Sequence, residues 1–537
     1  MAYTVEEKKI LSHYFTSSED NIYALTNLPE VIKGTLFSRY SRTAKDLRRL
    51  FLDEFIKADE LKGVFTTQNV QKSQAVDIAK ADNFYERILV GYGDDSVAEL
   101  GGAHVALENI SMLATKSIEE HRLGLSPLEK STRYVYFDKK INNEFLFYKD
   151  PEIINSKHKD LYLQINNLLF ETYSTIVRDI QPVLKKVYPG DETDTAYKFS
   201  IRAKACDIAR GLLPLSTLTN MGVYGNGRAF EYLLTIMMND KLTEVKDAAS
   251  VLNINLAPVV AAFIKRATNE RGEKYRNYLN EVENSLKFTE KYSKKGSQKT
   301  YKDVNVQLVD YDKHAVNKIV ASILYTTTTC EYKEIEKIVK HMTDKEKEKI
   351  LKNSTALREN RHHKMSRAFE EPYFSFDVVA DWGVYKDLMR HRVLSRQKQL
   401  FTNEHGYYIP HEVDLTGFGQ LYRTAMDQAV QAHAIIQKDL PIQAQYVVTH
   451  GAYNRFYMRM NLRELTHMTE LRSSPQGHPT YRKVAQQMAQ VVSKKLPLLG
   501  KYAFSFVDYK DYELERLGSF KKIAKKAGEM GTKAFEE

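Results

Sequence analysis

Arg390, His391 and Arg392 place two guanidinium groups and an imidazole on three consecutive residues. Arginine contacts phosphate or a carbonyl edge through a planar fork that stays charged, and histidine adds a neutral donor or a ring that can stack. The flanking residues Leu388 and Val393 can bury one side of this segment. The triplet therefore favours a site for a nucleotide or flavin phosphate. A solvated basic patch with acidic neighbours is the alternative.

A second candidate is the stretch from Asn461 to Arg472. Within it, Arg463, His467 and Glu470 follow one another at i, i+4 and i+7, so a helix would place them on one face. Three apolar residues are expected to face the core: Leu465, Met468 and Leu471. Arg472 comes at the predicted end of the helix, where it could stabilise a developing oxyanion beside a cleft or form a structural salt bridge.

The amino-acid composition excludes several kinds of functional site. Cys206 and Cys330 are the only cysteines, which excludes a disulfide framework and a multi-cysteine zinc site, and neither has the sequence context of a nucleophile. The net charge of +10 favours phosphorylated ligands or polyanions, with a solvated lysine-rich surface as the alternative. The sequence has no secretory leader pattern and no apolar run near the ~20 residues that span a bilayer, so we expect a cytoplasmic protein without a membrane segment and without a metal site.

The hydrophobic pattern predicts a helix-dominated α+β fold. Apolar residues recur at helical spacing in residues 161–180, 245–267 and 481–499, and alternation predicts strands in residues 304–311 and 133–137. The polar and charged stretch 270–303 lies near mid-chain and indicates a connection. We therefore predict an N-terminal domain over 1–270, a connecting segment over 271–303, a second domain over 304–510 and a basic tail over 511–537.

The two halves of the chain repeat a set of motifs in the same order. The first half has Glu120-His-Arg122 and later Asn226-Gly-Arg228, and the second half has Arg390-His-Arg392 and later Asn461-Leu-Arg463. The offset between the copies falls from 270 to 235 residues along the chain. This pattern indicates a divergent duplication rather than a tandem array of regular repeats.

These motifs together resemble those of the flavin-dependent thymidylate synthases, whose pattern is R-H-R, seven residues and a serine, followed by N-x-R, a histidine and L-R. The lead-in segments Ser96-Val-Ala-Glu99 and Glu108-Asn-Ile-Ser111 also fit this family. The resemblance covers residues 35–250 and 304–510. It implies two homologous synthase-like domains that form a pseudo-dimer within one chain.

The first half keeps only part of the family pattern. Ser131, Arg133 and Arg210 are present, but Glu120 replaces the first arginine of R-H-R and Met237 stands at the catalytic-arginine position. The spacer before the motif serine is eight residues long rather than seven. The first half therefore resembles the part of the family site that contributes the S-x-R segment and a second substrate arginine.

The second half has the complementary pattern. Arg390 and Arg472 are present, whereas Leu400 replaces the motif serine and Gln445 replaces the substrate arginine. Family members are homotetramers in which one subunit supplies the R-H-R and catalytic arginines and a neighbour supplies the remaining groups. The resemblance therefore implies one composite active site per chain, with two chains reproducing the tetramer as a homodimer.

The implied reaction is methylation of dUMP to dTMP, with FAD as redox cofactor, methylenetetrahydrofolate as carbon donor and NADPH as reductant. The implied catalytic residue is Arg472. The implied dUMP ligands are Arg390, Glu129, Ser131, Arg133 and Arg210. The implied FAD ligands are Arg390, His391, Arg392, Ser96, Asn226, Arg228, Asn461, Arg463 and His467.

Two alternatives remain open from the sequence. One is a related flavin-dependent enzyme that modifies a pyrimidine nucleotide differently, because Asp387 stands where the family often has glutamine. The other is a catalytically inactive relic that binds a nucleotide or a nucleic acid. The synthase interpretation itself requires no nucleic acid.

Overall fold

The computed structural model describes residues 3–57, 95–293, 299–530 and 532. The chain divides into two compact units, which we call unit 1 and unit 2. Unit 1 comprises Met1–Ile110, Ala114–Glu129 and Thr219–Gly296. Unit 2 comprises Ser111–Leu113, Lys130–Leu218 and Ser297–Glu537, so it combines chain from both halves of the sequence.

Helices dominate the described residues, as the hydrophobic pattern predicts. The α-helices are α1 (Val5–Tyr14), α2 (Glu30–Tyr40), α3 (Leu47–Phe51), α4 (Met112–Glu119), α5 (Pro151–Ile154), α6 (Lys159–Val187), α7 (Thr195–Ala209), α8 (Gly227–Met237), α9 (Thr243–Ile264), α10 (Glu270–Leu286), α11 (Glu290–Ser293), α12 (Ala315–Tyr325), α13 (Tyr332–His341), α14 (Asp344–Thr355), α15 (Trp382–Leu388), α16 (His411–Leu415), α17 (Gly419–Ile436), α18 (Leu462–Arg472), α19 (Pro479–Lys495), α20 (Pro497–Ala503) and α21 (Leu517–Glu529).

Short helices of other types connect some of these elements. A π-helix spans Leu52–Ile56, and 3₁₀ helices span Asp95–Glu99, Arg210–Leu212, Lys265–Ala267, Lys287–Thr289, Arg367–Glu370 and Gln443–Val447. The strands are β1 (Gly102–Ser111), β2 (Leu125–Glu129), β3 (Lys140–Ile141), β4 (Glu144–Phe145), β5 (Leu218–Asn226), β6 (Asn305–Tyr311), β7 (Tyr373–Asp381), β8 (Ser395–Lys398) and β9 (Tyr453–Asn461).

Unit 1 is built on a three-stranded sheet in the order β1-β5-β2. Strands β2 and β5 are antiparallel, and their register runs from Leu125↔Gly225 to Glu129↔Met221. Strand β5 passes directly into helix α8. A separate apolar cluster includes the buried side chains of Leu11, Phe15 and Phe51.

Unit 2 is built on a four-stranded sheet in the order β6-β7-β9-β8. Strands β7 and β9 are antiparallel, from Tyr373↔Asn461 to Asp381↔Tyr453. The side chains of Phe374, Phe376 and Val378 are fully buried in this sheet. Each of the two central strands passes directly into a helix, β7 into α15 and β9 into α18. Helix α18 carries Arg463, His467 and Arg472, and the segment Arg390–Arg392 begins two residues after α15 ends.

Most of the predicted elements are present. Residues 161–180 lie in α6, residues 245–264 lie in α9, and β6 covers most of the strand predicted over 304–311. The helix predicted over 481–499 is divided into α19 and α20. Pro497 begins α20, and because proline has no N–H to donate, the helix cannot continue through it unbroken.

The strand predicted over residues 133–137 is wrong. These residues form a turn followed by irregular chain. The backbone N–H of Val135 donates to the carbonyl oxygen of Ser131 at 3.2 Å, which curls the backbone instead of extending it. The alternation of aromatic and other residues suggested a strand, but the backbone of this segment is satisfied locally.

One helical segment is apolar enough, by length and composition alone, to cross a membrane. It spans Thr243–Ala267, and 33% of its most apolar window is buried. This segment is not an uninterrupted apolar run, because Asn253 and Asn255 interrupt it without adding charge. One face of this helix packs inside unit 1 through residues that include Val245, Leu252 and Phe263.

The end of the chain is not merely a basic tail. Helix α21 packs its Phe520 side chain against Ala196 and Ala203 of α7. Its lysines, including Lys521 and Lys522, face solvent. The exposed lysines account for the basic composition of this segment, and the apolar residues between them account for its packing in unit 2.

Candidate functional site

Asp387 lies at the centre of the candidate site in unit 2, near the end of α15. It is 7% exposed, and its Oδ2 lies 3.8 Å from Nη1 of Arg210. Burial raises the pKa of Asp387, but the positive charges of Arg210, Arg390, Arg472 and Arg133 outweigh burial and hold that pKa below its ordinary value. The positive charges of four guanidinium groups therefore act on one ionised carboxylate. Although Arg133 is paired with Asp207, the remaining positive charge favours an anionic ligand.

Arg210 is the most buried of these arginines. It is 3% exposed and begins the 3₁₀ helix that follows α7. Its Nη2 is buried and has no hydrogen-bond partner among the described residues. A Cβ at Gly383 would lie 2.8 Å from this Nη2, so the glycine leaves room for the guanidinium. A buried donor without a partner is costly, which points to a ligand or an ordered water at this position.

Arg472 is held at the end of α18 by a chain of hydrogen bonds. Its Nε donates to Nε2 of His391 at 2.9 Å. Because Nε2 accepts, the proton of the neutral imidazole resides on Nδ1, which donates to Oε1 of Glu464 at 2.8 Å. Burial lowers the pKa of His391 well below its ordinary value, and the nearby charge of Arg472 lowers it further. The neutral histidine therefore orients Arg472, whose two Nη groups remain available.

Both ring nitrogens of His391 are engaged in this chain, so only its ring face remains for contact with a cofactor. Arg390 and Arg392 on either side of it are exposed. The charge of Arg390 acts on both Asp387 and Arg472. The structure thus brings Arg390, Arg472 and Arg210 to one place in unit 2, although Arg210 comes from the first half of the sequence.

Arg133, also from the first half, is part of the same arrangement. Its Nε and Nη2 form a bidentate contact with Asp207 at 2.8 and 2.7 Å, and its Nη1 donates to the Gln476 carbonyl oxygen and the Tyr481 hydroxyl. Four of its five N–H groups are therefore used within the protein. Its positive charge still acts on the Asp387 carboxylate. Ser131 accepts a hydrogen bond from the backbone N–H of Arg133 at 3.2 Å.

Glu129 lies in unit 1, at the end of β2. It is 5% exposed, and its carboxylate accepts a hydrogen bond from Nζ of Lys116 at 2.9 Å. Lys116 also donates to Glu119 at 2.5 Å. The three side chains form a buried ion cluster, in which the two carboxylates outweigh burial and keep the pKa of Lys116 above its ordinary value.

A cavity of about 180 Å³ lies beside α18 in unit 2. It is lined by Arg358, Arg361, Lys364, Met365, Glu370, Val393, Asn461, Arg463, Glu464, Thr466, His467 and Glu470. Arg463, His467 and Glu470 therefore share a face, as their spacing predicts. The predicted FAD ligands Asn461, Arg463 and His467 all line this one cavity.

The structure shows how each of these three side chains is held. Asn461 caps α18, since its Oδ1 accepts from the backbone N–H of Glu464 at 2.9 Å. Arg463 donates to the Met365 carbonyl oxygen and to Glu370, both at 2.8 Å. His467 accepts at Nδ1 from Nζ of Lys364 at 2.6 Å.

The lining of this cavity fits the phosphate part of a flavin dinucleotide. Arg361, Lys364 and Arg463 supply positively charged donors, and the buried Oγ1 of Thr466 has no hydrogen-bond partner among the described residues. The volume is below the ~300–1,000 Å³ of sites that enclose a whole cofactor. A cavity of this volume can hold no more than a phosphate-sized part of such a cofactor.

Unit 1 contains the same arrangement in the other copy of the motif. Asn226 caps α8 through the backbone N–H of Ala229 at 2.8 Å, as Asn461 caps α18. Arg228 donates to Glu99 at 2.7 Å, and this glutamate belongs to a 3₁₀ helix before β1, as Glu370 belongs to one before β7. Each N-x-R motif therefore has a local structural role in its own unit. The side chain of Ser96 lies outside the described residues.

Several residues of the site escape sequence reasoning. Asp207 lies on α7 three residues before Arg210, and that spacing alone was a signal that both could face one site. Glu464 lies on α18 between the motif residues. Lys364 and Arg516 belong to no sequence motif. Their place in the site is evident only from their contacts in the folded chain.

Cys206 is fully buried, and burial raises its thiol pKa to about 12. Cys330 is exposed. Within the described residues, no group of three or more metal-ligating side chains forms a metal site.

Comparison with known proteins places the chain among relatives of similar length. It is 40% identical over 520 residues to a UPF0159 protein of Chlamydia muridarum, covering 96% of this chain and 97% of the relative. A UPF0159 protein of Thermoplasma acidophilum is 31% identical over 526 residues, covering 92% and 99%. The UMP/dUMP methylase PolB from Streptomyces cacaoi, solved with 5-Br dUMP, is 20% identical, covers 39% of this chain and 98% of its own, and has a TM-score of 0.31.

The family model described as "Thymidylate synthase complementing protein" matches the chain twice, over residues 46–251 and 307–498. These two regions contain the two sets of motifs identified above and together cover most of the chain. The chain therefore belongs to the thymidylate synthase complementing protein family, the flavin-dependent thymidylate synthases, and carries two segments of that family in one polypeptide.

Proposed function

We propose that this protein converts dUMP to dTMP in an FAD-dependent reaction at one composite active site per chain. Membership of the family supports a thymidylate synthase-like role. The observation that carries the proposal is the arginine cluster of unit 2, which consists of Arg133, Arg210, Arg390 and Arg472, whose positive charges all act on Asp387. Two of these arginines come from each half of the sequence, which is the combination that the complementary motif losses predict.

The proposed dUMP ligands in this cluster are Arg210, Arg390 and Arg133, together with Ser131. Arg210 has a buried, unpartnered Nη2, and Arg390 is exposed at the rim. A nucleotide phosphate placed among fixed arginines gains charge-assisted hydrogen bonds of about 1.5–3 kcal/mol each. For Glu129, which is paired with Lys116, the sequence-based role in dUMP binding stays a prediction.

Arg472 is the proposed catalytic residue. The neutral imidazole of His391 fixes its Nε, and its Nη groups are left to donate to the pyrimidine edge. Negative charge develops on that edge when the C5 position reacts, and a preorganised guanidinium stabilises it. Cys206, with its raised thiol pKa, is unsuited to act as a nucleophile, so we propose a reaction that needs no cysteine adduct.

The balanced reaction takes dUMP, methylenetetrahydrofolate, NADPH and a proton to dTMP, tetrahydrofolate and NADP⁺. When FAD is bound, it supplies the reducing electrons that turn the transferred carbon unit into a methyl group. Arg463, Arg361 and Lys364 would bind its phosphates in the cavity beside α18, with Asn461 and His467 at the same wall. Two chains would reproduce the four synthase-like domains of the family as a homodimer.

The test is tritium release from dUMP labelled at carbon 5, with FAD, NADPH and methylenetetrahydrofolate supplied and the product identified by mass. We expect tritium release together with dTMP. A folded chain that binds flavin and dUMP but releases no tritium would refute the synthase activity and favour the nucleotide-binding relic.

A second candidate function rests on Asp387. An ionised carboxylate accepts hydrogen bonds but cannot donate them, whereas the glutamine often found here in the family can do both. This difference would suit a pyrimidine edge that presents a donor, and hence a related modification of a pyrimidine nucleotide. Tritium release with a product whose mass differs from that of dTMP would select this candidate.

A further inference from the structure

The last described part of the chain lies beyond residue 498, where the family match ends. Two charged residues just before α21, Glu515 and Arg516, are only 7% and 3% exposed. Charged side chains are rarely buried without partners, because removing a charge from water is costly. Both have partners in unit 2, and those partners lead to the proposed dUMP site.

Glu515 connects this segment to α7 through an ion pair. Its carboxylate accepts a hydrogen bond from Nζ of Lys204 at 2.8 Å, and Lys204 also contacts Glu412 at 2.6 Å. One turn further on, Phe520 packs against Ala196 and Ala203 of the same helix. The segment is therefore fixed to the helix that carries Asp207.

Arg516 contacts the Arg133–Asp207 pair directly. Its Nη2 donates to Oδ2 of Asp207 at 2.8 Å, and its Nη1 donates to the carbonyl oxygen of Arg133 at 3.1 Å. Its guanidinium also lies 4.6 Å from the centre of the Tyr134 ring. Arg516 thus holds the carboxylate, the main chain of Arg133 and the residue that follows it.

The charges of Arg133, Asp207 and Arg516 show what the second arginine adds to the site. Arg133 and Asp207 form a bidentate pair that is neutral by itself, and four N–H groups of Arg133 are already used. With Arg516 added, the group carries one net positive charge. The contribution of Arg133 to an anion site is mainly its charge, so this offset of the Asp207 charge strengthens the attraction of the site for a phosphate.

We infer that Arg516 is a positioning residue for nucleotide binding. It fixes Arg133 through Asp207 and through the Arg133 main chain, and it keeps this wall of the site positively charged toward the phosphate of a nucleoside monophosphate. The inference rests on the proposed function, since it takes dUMP as the ligand of the arginine cluster. It assigns a role in the site to a segment outside the family match.

The experiment compares Arg516→Gln and Arg516→Lys in the full, flavin-loaded chain. The dUMP dissociation constant is measured by calorimetry, and KM and kcat are measured by tritium release. Arg516→Gln should weaken dUMP binding and raise KM by about 10-fold, with kcat within about twofold and flavin content unchanged. Arg516→Lys retains the positive charge beside Asp207 but cannot reproduce both guanidinium hydrogen bonds, so dUMP affinity should fall by only about threefold, less than in Arg516→Gln.

Two further variants serve as controls. Phe520→Leu loosens the packing of α21 but leaves the guanidinium, and Lys522→Ala removes an exposed charge of the same helix. Both should bind dUMP like the wild type. A loss in Phe520→Leu as large as that in Arg516→Gln would overturn the inference, because the effect would then be general loosening of the helix.

Unchanged dUMP affinity in a folded Arg516→Gln variant would also overturn the inference while leaving the proposed function intact. If Arg516→Gln does not fold, Arg516→Lys decides, since a tenfold loss of affinity in that variant contradicts the charge role. Absence of dUMP binding by the wild type would refute the proposed function and this inference together.

Discussion

Hydrogen-bond saturation separates the arginines of the site into two groups. Arg133 uses four of its N–H groups within the protein, and Arg358 gives a bidentate contact to Glu470. By contrast, Arg210 keeps a buried, unpartnered Nη2, and Arg472 uses only its Nε within the described residues. The first group supports the framework and supplies charge, and the second group retains donors for a ligand.

The first prediction concerns Arg472. Arg472→Ala should lower kcat by about 100-fold or more, because it removes a preorganised donor to the charge that develops on the pyrimidine. Flavin content should be unchanged, since Arg472 does not line the cavity beside α18. Single-turnover tritium release and the flavin absorbance of the purified protein measure the two effects. Retention of most activity would exclude a catalytic role.

The second prediction concerns the pH dependence set by Glu464. Burial raises its pKa to about 7, against the lowering effect of the nearby charges of His467, Lys364, Arg472 and Arg463. The neighbouring histidines do not titrate in this range, because the pKa of His391 is well below its ordinary value and that of His467 is about 4.

Above its pKa, the Glu464 carboxylate is ionised and accepts the His391 Nδ1 proton most strongly, which best orients Arg472. Turnover should therefore fall about tenfold from about pH 8 to about pH 6, the ratio of ionised fractions for one such group. In Glu464→Gln this fall should disappear, because the amide still accepts from Nδ1 but does not titrate. An identical pH profile of kcat in both proteins would contradict this assignment.

Among the secondary-structure elements, the same local arrangement is present once in each unit. A strand ends at an asparagine that caps the following helix, and an arginine two residues later pairs with a glutamate of a 3₁₀ helix. The cap and the ion pair explain why N-x-R is present in both halves, although the other motifs have diverged. The presence of the motif therefore does not by itself indicate a cofactor site.

The third prediction separates the two copies. Arg463 lines the basic cavity with Arg361 and Lys364, whereas the Arg228 side chain is 58% exposed. Arg463→Ala should weaken FAD binding by about tenfold, and Arg228→Ala, the matched control, should change it by less than about twofold. Fluorescence titration of the apoprotein with FAD measures both. Equal losses in the two variants would assign flavin binding to both copies or to neither.

Backbone hydrogen bonds in unit 2 explain how Arg210, from the first half of the sequence, lies near site residues from the second half. The N–H of Leu215 donates to Val448, that of His450 to Leu213 and that of Gly451 to Gly211, each at 2.8 Å. These bonds join residues 211–215 to residues 448–451. Arg210 immediately precedes the first group, so the pairing fixes it beside α15, the helix that follows β7.

At the scale of the whole molecule, the candidate dUMP residues of both halves lie in one compact unit of one chain, with Glu129 as the exception. The fourth prediction follows from this arrangement. Chains with Arg133→Ala and chains with Arg472→Ala should both be inactive, and their mixture after subunit exchange should stay inactive, because neither chain contains a complete site.

A site shared between different chains gives another outcome. Mixed dimers would then contain one intact site, and the mixture would recover about one quarter of the wild-type activity. Tritium release before and after exchange distinguishes the two cases. Co-expression of the two variants with different affinity tags verifies that mixed dimers form.

The residue types, the helix faces and the duplication follow from the amino-acid sequence alone. Periodicity predicts that Arg463, His467 and Glu470 share a face, and they line one cavity, because helical spacing is a local property. The complementary losses in the two halves indicate a composite site, because neither half alone retains the full set of motif residues. The strand predicted over 133–137 is wrong because the bond between Val135 and Ser131 is a local alternative that alternation does not encode.

Which charged side chains contact one another depends on the packing of the folded chain. Arg133 and Arg516 are 383 residues apart in sequence and share Asp207 in the folded chain. The roles of Asp207, Glu464 and Arg516 depend on such long-range contacts, and so does the difference between a saturated arginine and one with free donors. A pairing between distant residues leaves no periodic signal, because it is fixed by packing of whole elements and not by the local backbone.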